Sequence, residues 1–336
     1  MSFISLSINK SLLTFNQKQI AKGSLMFMLK RLLMSITLTL LISTASLAHA
    51  SNLSKQLLTM PMTLTTGEVV TLEQYQGKKP VYLKFWATWC KPCIKQMPHF
   101  EKISQQHGDD LAVIAINLGI NDNLAAVQKV QEEFNLSMPM VIDTKGDLAQ
   151  AFRLLGTPYH LLFDKQMNLV HLGHKADSVL DNKIALISDT KELDLLANNA
   201  IVETEMPLDL GLDDSKTQAF LFTATWCDWY FKDSRPAASK QCIAAQNSVN
   251  TLSEKFSKFA WQGIISRLWT GPTELANYTK KYQVKHPIAI DVSNSMFHQF
   301  EIKEFPSLVV VKNGVIILKT SDFSEPNSLA KQLSKL

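Results

Sequence analysis

The chain has 336 residues and a hydrophobic content of 46%, enough to fill two cores of ordinary size. Its formal net charge of +4 is misleading: Lys10, Lys18, Lys22, Lys30 and Arg31 stand in residues 1–50 without an acid, which leaves 29 basic against 30 acidic residues, a net of −1, in the remainder. A near-neutral body excludes nucleic acid, or any other polyanion, as an expected partner.

Residues 26–50, "MFMLKRLLMSITLTLLISTASLAHA", read as a secretory signal: Lys30 and Arg31, an apolar run over 32–42, and Ala48-His49-Ala50 as a small-x-small cleavage site. Ser35, Thr37 and Thr39 interrupt the run, which is short for a span, so cleavage is expected ahead of retention as a membrane anchor. No cysteine follows it, which argues against a lipoprotein, and residues 1–25 precede a complete signal, which makes Met26 or Met28 the candidate start. The expectation is a periplasmic or otherwise exported protein, soluble after signal cleavage.

Beyond residue 50 strands and helices alternate. "VYLKFWA" (81–87) reads as a buried strand, followed by a helix with a kink at Pro98 and a stop at Gly108. "LAVIAINL" (111–118) is a second strand, and Leu124, Val127, Val130 and Phe134 recur at helical spacing. "MPMVID" is a short strand, "GDLAQAFRLL" a helix and "YHLLFDKQMNLVHLG" a hairpin. After a helix near 190–198 and a polar linker, the same order restarts at "AFLFTA" and ends in a hairpin turning at Asn313-Gly314 and a closing helix. Ala-Thr-Trp-Cys stands at 87–90 and again at 224–227, each time after an apolar strand, so the chain carries a whole-domain repeat. The predicted division is 1–50 signal region, 51–195 first domain, 196–215 linker and 216–336 second domain. The predicted fold class is α/β, with a mixed central sheet flanked by helices in each domain.

The four cysteines form two local pairs, and export makes redox or structural disulfides the expectation ahead of zinc. In "FWATWCKPCIKQMP" a strand leads into a helix that opens on C-x-x-C. Cys90 at the helix N-terminus is favoured as a thiolate, Cys93 lies one turn on, and Pro92 sits in the first turn, where its missing N–H is no loss. Trp86 and Trp89 supply apolar surroundings. Cys90 is expected to be the exposed attacking thiol and Cys93 the resolving one. A half zinc site is the plain alternative, with His99 as a lone further ligand.

Residues from about 59 to 185 resemble the exported TlpA/ResA/CcmG-like reductases of the thioredoxin superfamily, through "TLTTGEVVTLEQYQGKKPVYLKFWATWCKPC" and "GTPYHLLFD". The resemblance implies a thioredoxin fold, exchange with protein thiols and disulfides, no cofactor and no metal, and recharging by a membrane electron donor. It makes Pro158 a cis-proline that, with Thr157, Trp89 and Pro92, orients substrate. The family's acidic or amide residue six positions before the first cysteine is Lys84 here, and the usual Glu of its "EMP" is Gln96. Lys84 either lies beneath the pair, favouring thiolate and a more oxidising disulfide, or snorkels to the surface.

In the second domain, "FTATWCDWYFKDSRPAASKQC" (222–242) aligns Cys227 with Cys90 and Cys242 with Cys93, around a twelve-residue insertion read as largely loop from Ser234, Pro236, Ala237 and Ala238. Pro306 in "EFPSLVV" matches Pro158, and Leu221 replaces Lys84. The pair is either a staple for the insert or a second redox centre, and Trp229-Tyr230-Phe231 either packs the insert down or forms a client-docking surface. Weaker signals are Met60–Met62 and Met138–Met140, expected in the core rather than holding copper, and His171 with His174 as a metal pair or turn histidines. Ala87 and Ala224 stand where peroxide chemistry wants threonine. The expected activity is an exported thiol–disulfide oxidoreductase acting as a reductase. The alternatives are an oxidase or isomerase, a client-binding module, or a copper-handling module.

Overall fold

Each domain builds one five-stranded mixed sheet. The computed structural model describes residues 55–188, 208 and 216–336, so the signal expected over 26–50, the helix near 190–198 and nearly all of the linker lie outside the described residues. A short hairpin, β1 (Met62–Thr63) and β2 (Val69–Val70), precedes the first sheet. That sheet has the order β5-β4-β3-β6-β7: β3 (Val81–Trp86) and β4 (Ala112–Asn117) are parallel, as is β5 (Met140–Ile142), while β6 (Tyr159–Phe163) and β7 (Leu169–Gly173) run antiparallel. β3 and β4 are buried along their whole length, which is why they read as continuous apolar runs rather than alternating ones. Helices α1 (Lys91–Lys95), α2 (Met97–His107), α3 (Leu124–Glu133), α4 (Asp147–Ala151) and α5 (Ser178–Ser188) connect or cover these strands. The kink expected at Pro98 is a complete break, with Gln96 between α1 and α2 and proline in the first turn of α2.

The second sheet repeats the plan as β10-β9-β8-β11-β12, from β8 (Gln218–Thr223), β9 (Ala260–Ser266), β10 (Ile288–Asp291), β11 (Ser307–Lys312) and β12 (Val315–Thr320). Around it lie α6 (Cys227–Ser234), α7 (Pro236–Lys255), α8 (Pro272–Tyr282), α9 (Ser295–Gln299) and α10 (Pro326–Leu333). The repeat extends to the caps. Asp143 after β5 accepts from the N–H groups of Leu148 and Ala149, and Asp291 at the end of β10 accepts from those of Met296 and Phe297.

The insertion departs from expectation: it is helical. Residues 227–234 form α6 and Pro236 starts α7, so Cys242 lies inside α7 rather than opening a helix. Pro236 fits because a helix start needs no N–H there, so the proline that reads as a loop former is a helix initiator. Only Arg235, with φ −143° and ψ 64°, breaks the run.

One apolar core runs from the first domain through the near face of the second, joining Phe85, Trp89 and Leu161 to Phe222, Trp226 and Phe305. A separate core on the far face of the second sheet contains Leu221, Val249, Leu308 and Val310. No helix among the described residues is long and apolar enough to cross a membrane.

Candidate functional site

The chain leaves β3 at Trp86 and turns through Ala87–Trp89, and Cys90 caps α1 with its sulfur accepting the Cys93 N–H at 3.3 Å. Cys90 and Cys93 are joined as a disulfide across a Cα–Cα distance of 5.2 Å. A sulfur at a helix N-terminus with an N–H aimed at it is where a thiolate is stabilised once the bond is reduced. The Thr157–Pro158 and Phe305–Pro306 peptide bonds are both cis. The Pro158 carbonyl faces His174 Nδ1 at 2.7 Å, and Thr157 is buried with its hydroxyl unpaired.

The expected exposure of Cys90 does not hold: its relative exposure is 0%, as is that of Cys93. The reason is the second domain. Trp89 is packed by Trp226, Phe231, Trp269 and Tyr230 at ring-centroid distances of 5.3, 5.2, 6.2 and 6.3 Å. The Lys91 N–H donates to the Tyr230 hydroxyl at 3.3 Å, and the Lys91 ammonium pairs with Asp233 at 2.8 Å. Arg235 donates to Thr88 Oγ1 at 2.6 Å and to Asp122 at 3.2 Å. Of the aromatic run, Phe231 is buried against this face, while Trp229 stays 60% exposed.

The docking is reciprocal. Trp89 Nε1 donates to the Ile120 carbonyl at 2.7 Å, and Trp226 Nε1 donates to that of Leu268 at 2.6 Å. The next residues, Asn121 and Trp269, have φ of 50° and 48°, and each gives its N–H to the other domain, to Lys303 O at 2.7 Å and to Leu155 O at 2.9 Å. Each domain thus presents the loop after its second strand to the loop carrying the other's cis-proline. A Cβ on Gly156 would lie 2.4 Å from the Trp269 indole, so glycine makes this approach possible.

Behind the pair lies a buried polar cluster. Lys84 is fully buried, which overturns the snorkelling alternative: on the central strand, with neighbours on both sides, it has no route to solvent. Its ammonium makes no hydrogen bond and lies 5.1 Å from the Phe100 ring centroid, and burial pulls its pKa down to about 7. Opposite it on β6, His160 bridges the Tyr82 hydroxyl at 2.6 Å and Gln96 Oε1 at 2.9 Å. Since the amide oxygen only accepts, Nε2 carries the proton and Tyr82 donates to Nδ1. Burial first, and Lys84 second, push the His160 pKa down to about 2, so the ring is neutral at working pH. His160 escapes sequence reading, because one histidine in an apolar run has no distinguishing spacing.

Lys84→Met is expected to raise stability by a few kcal/mol at neutral pH. The lysine binds fewer protons folded than unfolded between pH 7 and 10.5, so wild-type stability rises with pH through that window and the variant's does not. Denaturant midpoints at several pH values check this, and parallel curves for the two proteins would contradict it.

Cys227 and Cys242 are also bonded, joining the first residue of α6 to α7, and both are buried. Replacing both with alanine is expected to destabilise the fold by about 3 kcal/mol, from the chain entropy of a loop of this length. A denaturation midpoint unchanged in the double variant would refute that. Asp228, next to Cys227, is buried and accepts from Lys281 and from the Tyr282 hydroxyl, tying α6 to α8.

The remaining candidates fall elsewhere. His99 pairs with Asp181 at 2.8 Å, and Met62, Met138 and Met140 are buried in the core. His174 is turned to the Pro158 carbonyl. Among the described residues no group of three or more His, Cys, Asp or Glu is arranged to hold a metal.

Residues 53–172 match the AhpC/TSA family. The thioredoxin-like protein YneN of Bacillus subtilis is 33% identical over 124 residues, covering 36% of this chain and 72% of that protein. The thiol-disulfide oxidoreductase ResA of Halalkalibacterium halodurans is 31% identical over 124 residues, covering 36% and 69%. The crystal structure of StoA from Bacillus subtilis matches 37% of this chain and 92% of that chain, at 24% identity and a TM-score of 0.33.

Proposed function

This chain belongs to the thioredoxin-like thiol–disulfide oxidoreductases of the AhpC/TSA family, and on that premise we propose that it acts as an exported reductase of protein disulfides. The observation that carries the reading is Cys90, capping α1 with the Cys93 N–H on its sulfur, beside the cis Pro158. In the reduced protein the Cys90 thiolate attacks one sulfur of a substrate disulfide. A Cys90–substrate bond forms and the other substrate sulfur leaves as a thiolate. The Cys93 thiolate then attacks Cys90, the Cys90–Cys93 bond re-forms, and the second substrate thiol departs, two electrons having passed to the substrate. Thr157, Pro158, Pro92 and Trp89 orient the substrate, and a membrane electron donor returns the dithiol. Because both sulfurs are covered, this cycle requires the second domain to give way locally at Tyr230.

A second reading, an oxidase, draws on one observation: Lys84 is a buried amine on the strand leading into the site, and in its protonated form it favours thiolate and a more oxidising disulfide. The reduction potential of the pair decides between the two directions. For either, the test is turnover of a protein disulfide by the wild-type chain and by Cys90→Ser. Undiminished turnover by the variant overturns the reading.

A further inference from the structure

A cavity of about 690 Å³ opens beside the covered pair, and its walls come from both domains. Pro92, between the two cysteines, and Thr157, before the cis-proline, line one side; Trp229, Tyr230, Trp269 and Tyr278 line the other. This volume is in the range that encloses a few residues of extended peptide. Two features indicate that it receives a ligand. Thr157 is 1% exposed and its hydroxyl has no partner, a cost that folding alone does not repay and that a peptide N–H or C=O in the cavity would remove. Trp229 and Trp269 are 60% and 37% exposed, although Trp226 and Phe231 beside them are buried and Tyr230 is half-buried. The charged residues of the lining are already engaged: Lys281 with Asp228, and Glu274 with the Gly271 N–H. What the cavity offers is therefore an aromatic wall, the Thr157 hydroxyl and the Asn277 side-chain amide, close to the reacting sulfurs.

We propose that the second domain supplies the substrate-specificity wall of the first. The cavity takes the segment next to the substrate's reactive cysteine, its backbone on Thr157 and an aromatic or bulky aliphatic side chain against Trp229. Tyr230 both lines the cavity and touches Lys91, next to Cys90, so it is the element a bound segment displaces to reach the nucleophile. The inference rests on Cys90 as the attacking thiol.

The experiment compares kcat/KM for two peptide disulfides of equal length and charge, one with phenylalanine and one with serine beside the cysteine, with bis(2-hydroxyethyl) disulfide as a small substrate lacking side chains. The phenylalanine peptide is expected to be preferred about tenfold, mainly through KM. Trp229→Ala is expected to reduce the ratio to about twofold, and Trp229→Phe to restore most of it, a pattern that general loosening of the fold would not produce. Turnover of all three substrates with equal preference, or a ratio unchanged in Trp229→Ala, overturns this inference and leaves the oxidoreductase reading standing. Turnover of none of them overturns both.

Discussion

Exchange of Cys90 for serine is expected to bring disulfide turnover to background, while Cys93→Ser accumulates a covalent adduct with substrate through Cys90. The asymmetry follows from position. The nucleophile in disulfide exchange is the thiolate, and a serine hydroxyl at neutral pH supplies no comparable anion. The Cys90 sulfur stands at the N-cap of α1 and receives the Cys93 N–H at 3.3 Å, so negative charge there meets the positive end of the helix. Cys93 sits within α1, and in the proposed cycle it resolves the bond that Cys90 has made. Insulin reduction and mass analysis of non-reduced reaction mixtures read the two outcomes. An adduct on Cys93, or wild-type turnover by the serine variant, would reassign the nucleophile. Folding is expected to survive, since the bridge closes a loop of only three residues' separation.

The second large effect is expected at Arg235, where Arg235→Ala should speed the reduction of Cys90–Cys93 by an added dithiol about tenfold or more. Asp122 is the reason. Its carboxylate has no solvent exposure, accepts from the Thr88 N–H and hydroxyl and from Asn117, and meets the Arg235 guanidinium at 3.2 Å. Burial raises its pKa, the hydrogen bonds from Thr88 and Asn117 oppose that rise most, and the Arg235 cation adds to them across the domain boundary. Removing a hydrogen bond to a buried charge costs roughly 1.5–3 kcal/mol, less where the partner is part-exposed, as Arg235 is at 34%. Because this contact crosses between the domains, the loss falls on their docking rather than on either core. About 1.4 kcal/mol of weakened docking corresponds to a tenfold larger uncovered population. Stopped-flow reduction, with denaturation as a control, measures it. A lower global stability with an unchanged reduction rate would show that the contact braces the fold and does not gate the sulfurs.

Chemistry that depends on neighbours in the chain was legible. The C-x-x-C after an apolar strand rests on local spacing and the whole-domain repeat on a recurring word and element order, whereas the two cis-prolines are expected only through the family resemblance and the repeat. Patterns that serve two structures were misread or left open. Pro236 reads as a loop residue, yet proline also fits the first residue of a helix, and only the packing of α6 on α7 shows which. Lys84 in an apolar run reads either as a cation beneath the pair or as a snorkelling side chain until strands on both sides close its exit. His160 has no local signature, since its roles are set by Tyr82 and Gln96 from other elements.

That Cys90 and Cys93 pair, and that Cys90 caps a helix, follows from residues within one turn of one another. Whether the reactive pair meets solvent does not. The groups packed on Trp89 and Lys91, the neighbours of Cys90, come from about 140 positions further along, as the Lys91–Tyr230 and Lys91–Asp233 contacts show. Burial is a property of surfaces brought together by the fold, and a first domain that reads as an open-faced reductase has that face closed when the second domain docks on it.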